Sequence, residues 1–393
     1  MPLADGVDRN RLHVGAACDH LIGASMETMT FGVEEEFLIV DLETRELASR
    51  SHDLLGPAEK RLGAAVCQEL NLCQVEIETP VCTKIDEIRQ SLIGLRKGLT
   101  DAAAEIGTGV IAAGTHPFSS WRTQEIDVEV ERYAEMDERY QVVARQQVIC
   151  GCHIHVGVED RDLAVAIMNR VRLWLPILLA LSGNSPFWQG LDTGFDSYRM
   201  QVWQRWPTSG MPPELKSARE FDQLVRGLEM IDAIEDATFL YWYVRPSSRY
   251  PTLEFRVCDV CLTPEETTVL AALVRSLTWS CAREASVARP MSTPRPELLE
   301  AAVWRAGRYG LGAKLISPLT LTPRPAHEVV GELMAFVRDG LEAHDEREEV
   351  EAMVEQILGW GNGAHRQRKV WKESGGDGVA AVDYVLGKTA STT

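Results

Sequence analysis

The stretch Phe31-Gly-Val-Glu-Glu-Glu-Phe-Leu-Ile-Val40 decides the architecture. A strand points successive side chains to opposite faces. Phe31, Val33, Phe37 and Ile39 therefore share one side with Glu35, and Gly32, Glu34, Glu36 and Leu38 share the other. Three more segments repeat the pattern. In Gln74-Val-Glu-Ile-Glu-Thr79, Val75 and Ile77 alternate with Gln74, Glu76 and Glu78. In Cys152-His-Ile-His-Val156, Ile154 lies with Cys152 and Val156, while His153 and His155 face the other way. In Thr252-Leu-Glu-Phe-Arg-Val-Cys258, Leu253, Phe255 and Val257 alternate with Glu254 and Arg256. A solvated sheet face usually mixes acids with Lys, Thr, Ser and Gln. Here Glu or His recurs at consecutive same-side positions, about 7 Å apart. If the four strands are neighbours, carboxylates and imidazoles converge on one surface, and like charges at that density repel unless cations lie between them. Oxygen ligands with an occasional imidazole suit Mg²⁺ or Mn²⁺ better than Zn²⁺.

Around these strands run helical patterns at Lys84–Glu105, Arg161–Leu181, Pro264–Val287, Pro294–Tyr309, Pro325–Ala343 and Asp345–Leu358. The last is acidic and reads as a solvated face. Strands and helices are interspersed without regular βαβ units, which predicts an α+β fold. Residues 1–27 read as an irregular leader and residues 28–393 as one catalytic domain, since no linker rich in Pro, Gly or Ser divides them.

The chain has 393 residues, 45% hydrophobic and 25% charged, the composition of an ordinary folded protein. Its 40 basic and 58 acidic side chains leave a net charge of −18, which disfavours nucleic acid as a partner. The apolar run Leu173–Leu181 is far shorter than the roughly 20 residues a membrane span needs, and nothing resembles a signal peptide, so a cytoplasmic location is expected. Nine scattered cysteines read as reduced thiols. Cys258-x-x-Cys261, and Cys150-x-Cys152 followed by His153 and His155, leave a zinc-dependent hydrolase or metal-binding protein as the alternative reading. Small buried residues near strand ends explain these cysteines better.

A carboxylate cage for Mg²⁺ suggests a nucleotide, yet no Walker A motif is present: Gly387-Lys388-Thr389 matches its ending, but Val382 stands where the first glycine belongs. Arginines are the other means of holding phosphate. The candidates are Arg245 before Pro246, Arg305 and Arg308 one helical turn apart, Arg366 and Arg368, and above all Arg256, which shares a strand face with Glu254.

Taken in order, several motifs carry a family likeness: Gly32-Val-Glu-Glu-Glu-Phe37, Gln74-Val-Glu-Ile-Glu-Thr-Pro-Val-Cys82, Gly114-Thr-His-Pro-Phe118, Glu131-Arg-Tyr133, His153-Ile-His-Val-Gly157, Thr252-Leu-Glu-Phe-Arg-Val-Cys-Asp259 and Trp304-Arg-Ala-Gly-Arg-Tyr-Gly-Leu311. Their succession resembles the glutamate–cysteine ligase type 2 family, the bacterial ATP-dependent carboxylate–amine ligases. The resemblance extends from about Thr30 to Gly361-Asn-Gly-Ala-His-Arg-Gln-Arg368. It implies a glutamine synthetase-like catalytic fold, whose antiparallel sheet binds ATP and Mg²⁺ on its concave face. It also implies amide formation through an acyl phosphate, by default from glutamate and cysteine, in a homodimer or higher homo-oligomer. It places Glu34, Glu36, Glu76 and Glu254, with His153 and His155, at the metals. Arg256 is expected at the transferring phosphate, with Arg245 and Arg199 also catalytic, and Arg305, Arg308 and His116 at the nucleotide. The acyl phosphate requires shielding from water, and Gln189–Pro213, with Trp203 and Trp206, is the expected covering segment.

Overall fold

Strand β1 (Phe31–Asp41) is the axis of the molecule. In a computed structural model describing residues 29–391, it pairs antiparallel with β3 (Gln74–Glu78) on one edge and β5 (Gly151–Gly157) on the other. Its far end pairs with β4 (Thr108–Ile111). The seven-stranded sheet runs β2-β3-β1-β5-β9-β8, with β2 (Val66–Gln68), β8 (Val244–Pro246) and β9 (Thr252–Asp259) completing it and β4 branching from β1. All its pairings are antiparallel. The four acidic and histidine strands are therefore consecutive neighbours. The expected leader lies outside the described residues.

The apolar face is buried. Phe31, Val33, Phe37, Ile154, Phe255 and Val257 are at most 2% exposed. Helices α2 (Ile85–Glu105) and α9 (Pro264–Ser286) pack on this side of the sheet. Each fully buried large apolar side chain contributes on the order of 1.5–3 kcal/mol. One charge is buried among them. Glu35 and Arg96 are both inaccessible to solvent, and Arg96 Nε and Nη2 donate to the two Glu35 oxygens at 2.8 and 2.5 Å. Thr267 Oγ1 donates to the same carboxylate, while the Arg96 fork also reaches the carbonyls of Cys261, Leu262 and Thr389. Every charge is matched, which is the condition for burying an ion pair without great loss.

Most predicted helices are present, with one correction. The pattern Arg161–Leu181 is two helices, Arg161–Val171 and Leu175–Ser182, bent by 69°. Pro176 is the reason: it is tolerated in a first turn but breaks a helix interior. Among the described residues no single helix is long and apolar enough to cross a membrane. Gly387, Lys388 and Thr389 end the helix Gly378–Thr389. There Thr389 Oγ1 accepts from the Ala112 N–H at 3.0 Å and donates to Val385 O, so its hydroxyl is committed to packing rather than phosphate. Gln189–Pro213 contains the short helix Arg199–Trp203, and its Trp203 and Trp206 are buried at 7% and 3% exposure.

Candidate active site

Strand register assembles the polar face. Glu36 lies opposite Glu76, and Glu34 lies between Glu78 and His153. His155 lies opposite Glu254, and Glu254 opposite Arg245. Period-two alternation, which buries the intervening residues, aims these side chains into one pocket. Its walls include Glu34, Glu36, Glu76, His153, His155, Glu254 and Arg256.

Glu34 is central. Its two oxygens lie 3.2 Å from His153 Nδ1 and 3.1 Å from His155 Nε2. His153 Nε2 is 3.8 Å from Glu36 Oε1. His155 Nδ1 is held by Thr252 Oγ1 at 2.9 Å, and Gly151 N–H donates to Glu36 Oε2 at 2.6 Å. Glu254 is gripped by Arg256 and by Arg245 Nε at 3.0 Å. Arg245 Nη1 meanwhile binds the carbonyls of Ala237, Thr238 and Leu240, so this arginine orients Glu254 and fixes the preceding loop.

Protonation divides the carboxylates. Burial favours the neutral acid at Glu34, but the hydrogen bonds and charges of His153 and His155 outweigh it and hold the carboxyl far below its ordinary range. Burial likewise opposes ionisation of Glu254, and the adjacent Arg256 and Arg245 charges overcome it. Glu76 is pushed well upward by burial, then by Glu34 and Glu69. Burial and the Glu36 charge raise Glu69 to about 7. The protein's own cations thus balance the Glu254 side of the pocket and leave the Glu76 side overcrowded.

Two sets of donor atoms, Glu34–Glu76–His153 and Glu34–His155–Glu254, each lie within 4.8 Å of one another and share Glu34. His153 Nε2 is buried without a hydrogen-bond partner, and His155 Nε2 faces only the Glu34 carboxylate. An oxygen-rich set with single imidazoles and one orphaned nitrogen fits two hard divalent cations, Mg²⁺ or Mn²⁺. The zinc alternative finds no such support: the candidate metal-binding groups among the described residues include none of Cys150, Cys152, Cys258 and Cys261. Those thiols are buried and free, and burial raises their pKa values.

Four expected residues lie elsewhere. Arg199 is wholly buried behind the pocket, where Nη2 donates to the Arg256 carbonyl at 3.3 Å. Gly151, whose missing Cβ makes room for that guanidinium, packs against it, and Arg199 is not among the residues lining the pocket. His116 is buried, with Nε2 on Arg45 O and Nδ1 accepting from the Phe118 and Ser119 amides, which leaves no ring nitrogen for a nucleotide. Arg305 donates to Lys314 O, and Arg308 to Gly194 O. Both lie outside this pocket, each with one guanidinium donor on a backbone carbonyl. Arg305 instead lines a separate apolar hollow with Leu298, Trp304 and Leu321.

The pocket also contains residues that strand reading does not select. Glu69, Arg132, Tyr133, Gln147, Tyr241 and Arg249 come from loops and short helices. Arg132 rests on the Phe239 ring, 4.3 Å from its centroid, and Tyr241 Oη and Gln147 Oε1 are buried without partners. Glu131-Arg-Tyr133 was the available signal for Arg132 and Tyr133; no periodic pattern marks the others.

Comparison with known proteins bears on the family and the fold. Residues 30–379 match the family described as glutamate–cysteine ligase family 2. A Rhodopirellula baltica protein named "Putative glutamate--cysteine ligase 2" is 36% identical over 370 residues, covering 93% of this chain and 98% of that one. A Mycolicibacterium smegmatis relative, numbered 2-2 under the same name, is 40% identical over 362 residues, covering 92% and 90%. A Frankia casuarinae relative is 41% identical over 345 residues, or 88% of this chain, but the match spans only 40% of its own length. Among solved structures, a bifunctional glutathione synthetase from Pasteurella multocida superposes with a TM-score of 0.70 at 15% identity, over 96% of this chain and 54% of that one. A glutamate–cysteine ligase from Francisella tularensis in complex with AMP gives 0.69 at 13% identity, over 93% and 89%. At these identities the two structures share the fold.

Proposed function

The chain belongs to glutamate–cysteine ligase family 2, and from that premise we propose that it is an ATP-dependent carboxylate–amine ligase joining glutamate to cysteine. The observation that carries the reading is the pair of carboxylate–imidazole groups sharing Glu34, with Arg256 at their edge. ATP and a carboxylate are both anions and must meet in line, so the site has to neutralise charge. Glu34, Glu76 and His153 would hold one Mg²⁺ or Mn²⁺, and Glu34, His155 and Glu254 a second. When bound, the cations neutralise phosphate oxygens and align the γ-phosphoryl group.

The reaction runs in two steps. A carboxylate oxygen of glutamate attacks the γ-phosphorus, the bond to the β–γ bridging oxygen breaks, and ADP and an acyl phosphate form. The cysteine amine then attacks the acyl carbon, phosphate departs and the nitrogen loses a proton. Arg256, whose Nε is buried without a protein acceptor, would contact the transferring phosphoryl oxygens. Arg132, Tyr241 Oη and Gln147 Oε1 offer an amino acid one cation, one hydroxyl and one acceptor. Trp203, Trp206 and Tyr241 form a wall that excludes water from the acyl phosphate.

The test is ADP release that requires both amino acids and a divalent cation, with γ-glutamylcysteine identified by mass. Hydroxylamine supplied in place of cysteine should yield a hydroxamate. Release of ADP with no coupled product would overturn the ligase reading. The enzyme is further proposed to act in the cytoplasm as a homo-oligomer. Light scattering should find at least a dimer at micromolar concentration, and a monomer alone would count against it.

A further inference from the structure

Two guanidinium groups share one indole. The Arg256 and Arg199 Cζ atoms each lie 5.2 Å from the Trp203 ring centroid. Trp203 is itself fixed: its Nε1–H donates to Tyr241 O at 2.9 Å, and Tyr241 stacks on Trp206 at 4.7 Å. Arg199 is fixed as well, with Nη2 on the Arg256 carbonyl and Nη1 3.9 Å from Asp259 Oδ1. Only Trp203 and Arg256 of these three line the pocket. An aromatic face attracts a guanidinium most strongly when the pair is removed from water. All three side chains are largely buried, at 1% exposure for the Arg199 side chain, 7% for Trp203 and 10% for the Arg256 side chain.

We infer that Trp203 is a positioning residue for Arg256, and that Arg199 supports it from behind. Glu254 holds one end of the Arg256 fork, and a single ion pair leaves the guanidinium plane free to swing. The indole removes that freedom and holds the fork, with its unpartnered Nε–H, at the pocket wall. Arg199 was expected to touch substrate; buried beneath Gly151, it acts instead through Trp203 and the Arg256 backbone. The inference rests on the assignment of Arg256 to the transferring phosphoryl group.

The test compares Trp203→Leu, Trp203→Phe and Arg256→Ala with the wild type by two measurements. Steady-state turnover gives kcat and KM for ATP. Calorimetry gives the ratio of dissociation constants for ADP and a non-hydrolysable ATP analogue, with Mg²⁺ present. Trp203→Leu should lower kcat about 10- to 100-fold with KM for ATP changed less than about threefold. It should also shrink the preference for the ATP analogue over ADP, as Arg256→Ala does. Trp203→Phe keeps an aromatic face, though a weaker one, and should recover most of both. In Arg256→Ala the further change Trp203→Leu should cost nothing more, because the group it positions is gone. Should Trp203→Leu fail to fold, Trp203→Phe alone and in the Arg256→Ala background still tests the coupling. The inference is overturned if the Trp203 and Arg256 effects multiply independently, or if Trp203→Leu retains kcat and nucleotide preference while Arg256→Ala loses both. If Arg256→Ala itself retains both, the phosphoryl assignment falls and the inference with it.

Discussion

Glu36 and Glu254 test the cation assignment most directly, because Gln is nearly isosteric with Glu and changes mainly the charge. Glu36→Gln can still accept from the Gly151 amide. Glu36→Gln and Glu254→Gln should each abolish detectable ADP formation while leaving the fold intact. In Glu36→Gln the melting temperature should hold or rise, since crowding around Glu69 and Glu76 is relieved. Unchanged turnover in both would remove the carboxylates from the site. Arg256→Lys keeps the charge but loses the planar fork and the Nε–H. Turnover should fall toward the roughly 10³-fold loss typical of a missing phosphoryl-stabilising arginine, and near-normal turnover with lowered stability would make Arg256 an ordinary strand salt bridge. His116 makes a different prediction. Burial depresses its pKa to about 3, against 6.5 for the free side chain. Between these values the unfolded chain takes up a proton that the folded one refuses, so this contribution to stability is complete above pH 6.5 and declines as pH falls. The slope is about 1.4 kcal/mol per pH unit. Glu69 and Glu76, raised in the folded state, act in the opposite sense. The comparison is therefore the difference between wild type and His116→Gln by urea denaturation from pH 6.5 to 5: relative to the variant, the wild type should lose about 1.4 kcal/mol for each unit of acidification.

Strand β1 shows what an element adds to its residues. It alternates two chemistries: Glu34 and Glu36 face the pocket, and Glu35 between them is tied to Arg96 of α2. Removing one partner of a buried ion pair typically costs about 3–5 kcal/mol. Arg96→Met should therefore lower stability by that amount in urea and reduce turnover by displacing Glu34 and Glu36. The double variant Glu35→Leu with Arg96→Met should regain much of the stability, because neither charge then remains alone. An additive loss would show that the two do not act as a pair. Alternation in the sequence was enough to group Glu34 with Glu36, His153 with His155 and Glu254 with Arg256 on the polar side of their strands, while bringing these and Glu76 to one face took the strand order, which the sequence left open. It also grouped Glu35 with the apolar residues without identifying Arg96, whose partner lies 61 positions away. Arg305, Arg308 and His116 were harder to place. Nothing in a local pattern distinguishes an arginine that binds phosphate from one that holds a distant carbonyl, or a ligand histidine from one satisfied by Arg45 O. The break at Pro176 was legible, but the apolar periodicity continuing across it concealed the bend.

At the scale of the whole molecule, a net charge of −18 coexists with a pocket that needs positive charge to work. Arg132, Arg245, Arg249 and Arg256 supply part of it from different segments, and the metal sets require the remainder. The Arg96 fork also reaches across most of the chain, for one of its acceptors, the Thr389 carbonyl, lies 293 positions further on. Thr389 also accepts from the Ala112 amide across 277 positions. Translation delivers roughly 5–20 residues per second, so on the ribosome α2 waits about 15–60 seconds for this partner. Until residue 389 has left the exit tunnel, a guanidinium destined for a dry interior lacks one of its acceptors and the Ala112 amide lacks its own. The strand carrying Glu34 and Glu36 is thus synthesised well before the segment that completes the bonding of its Arg96 partner. A ribosome stalled near residue 370 should hold a chain that contains every candidate metal ligand and yet is readily cut by protease around Arg96.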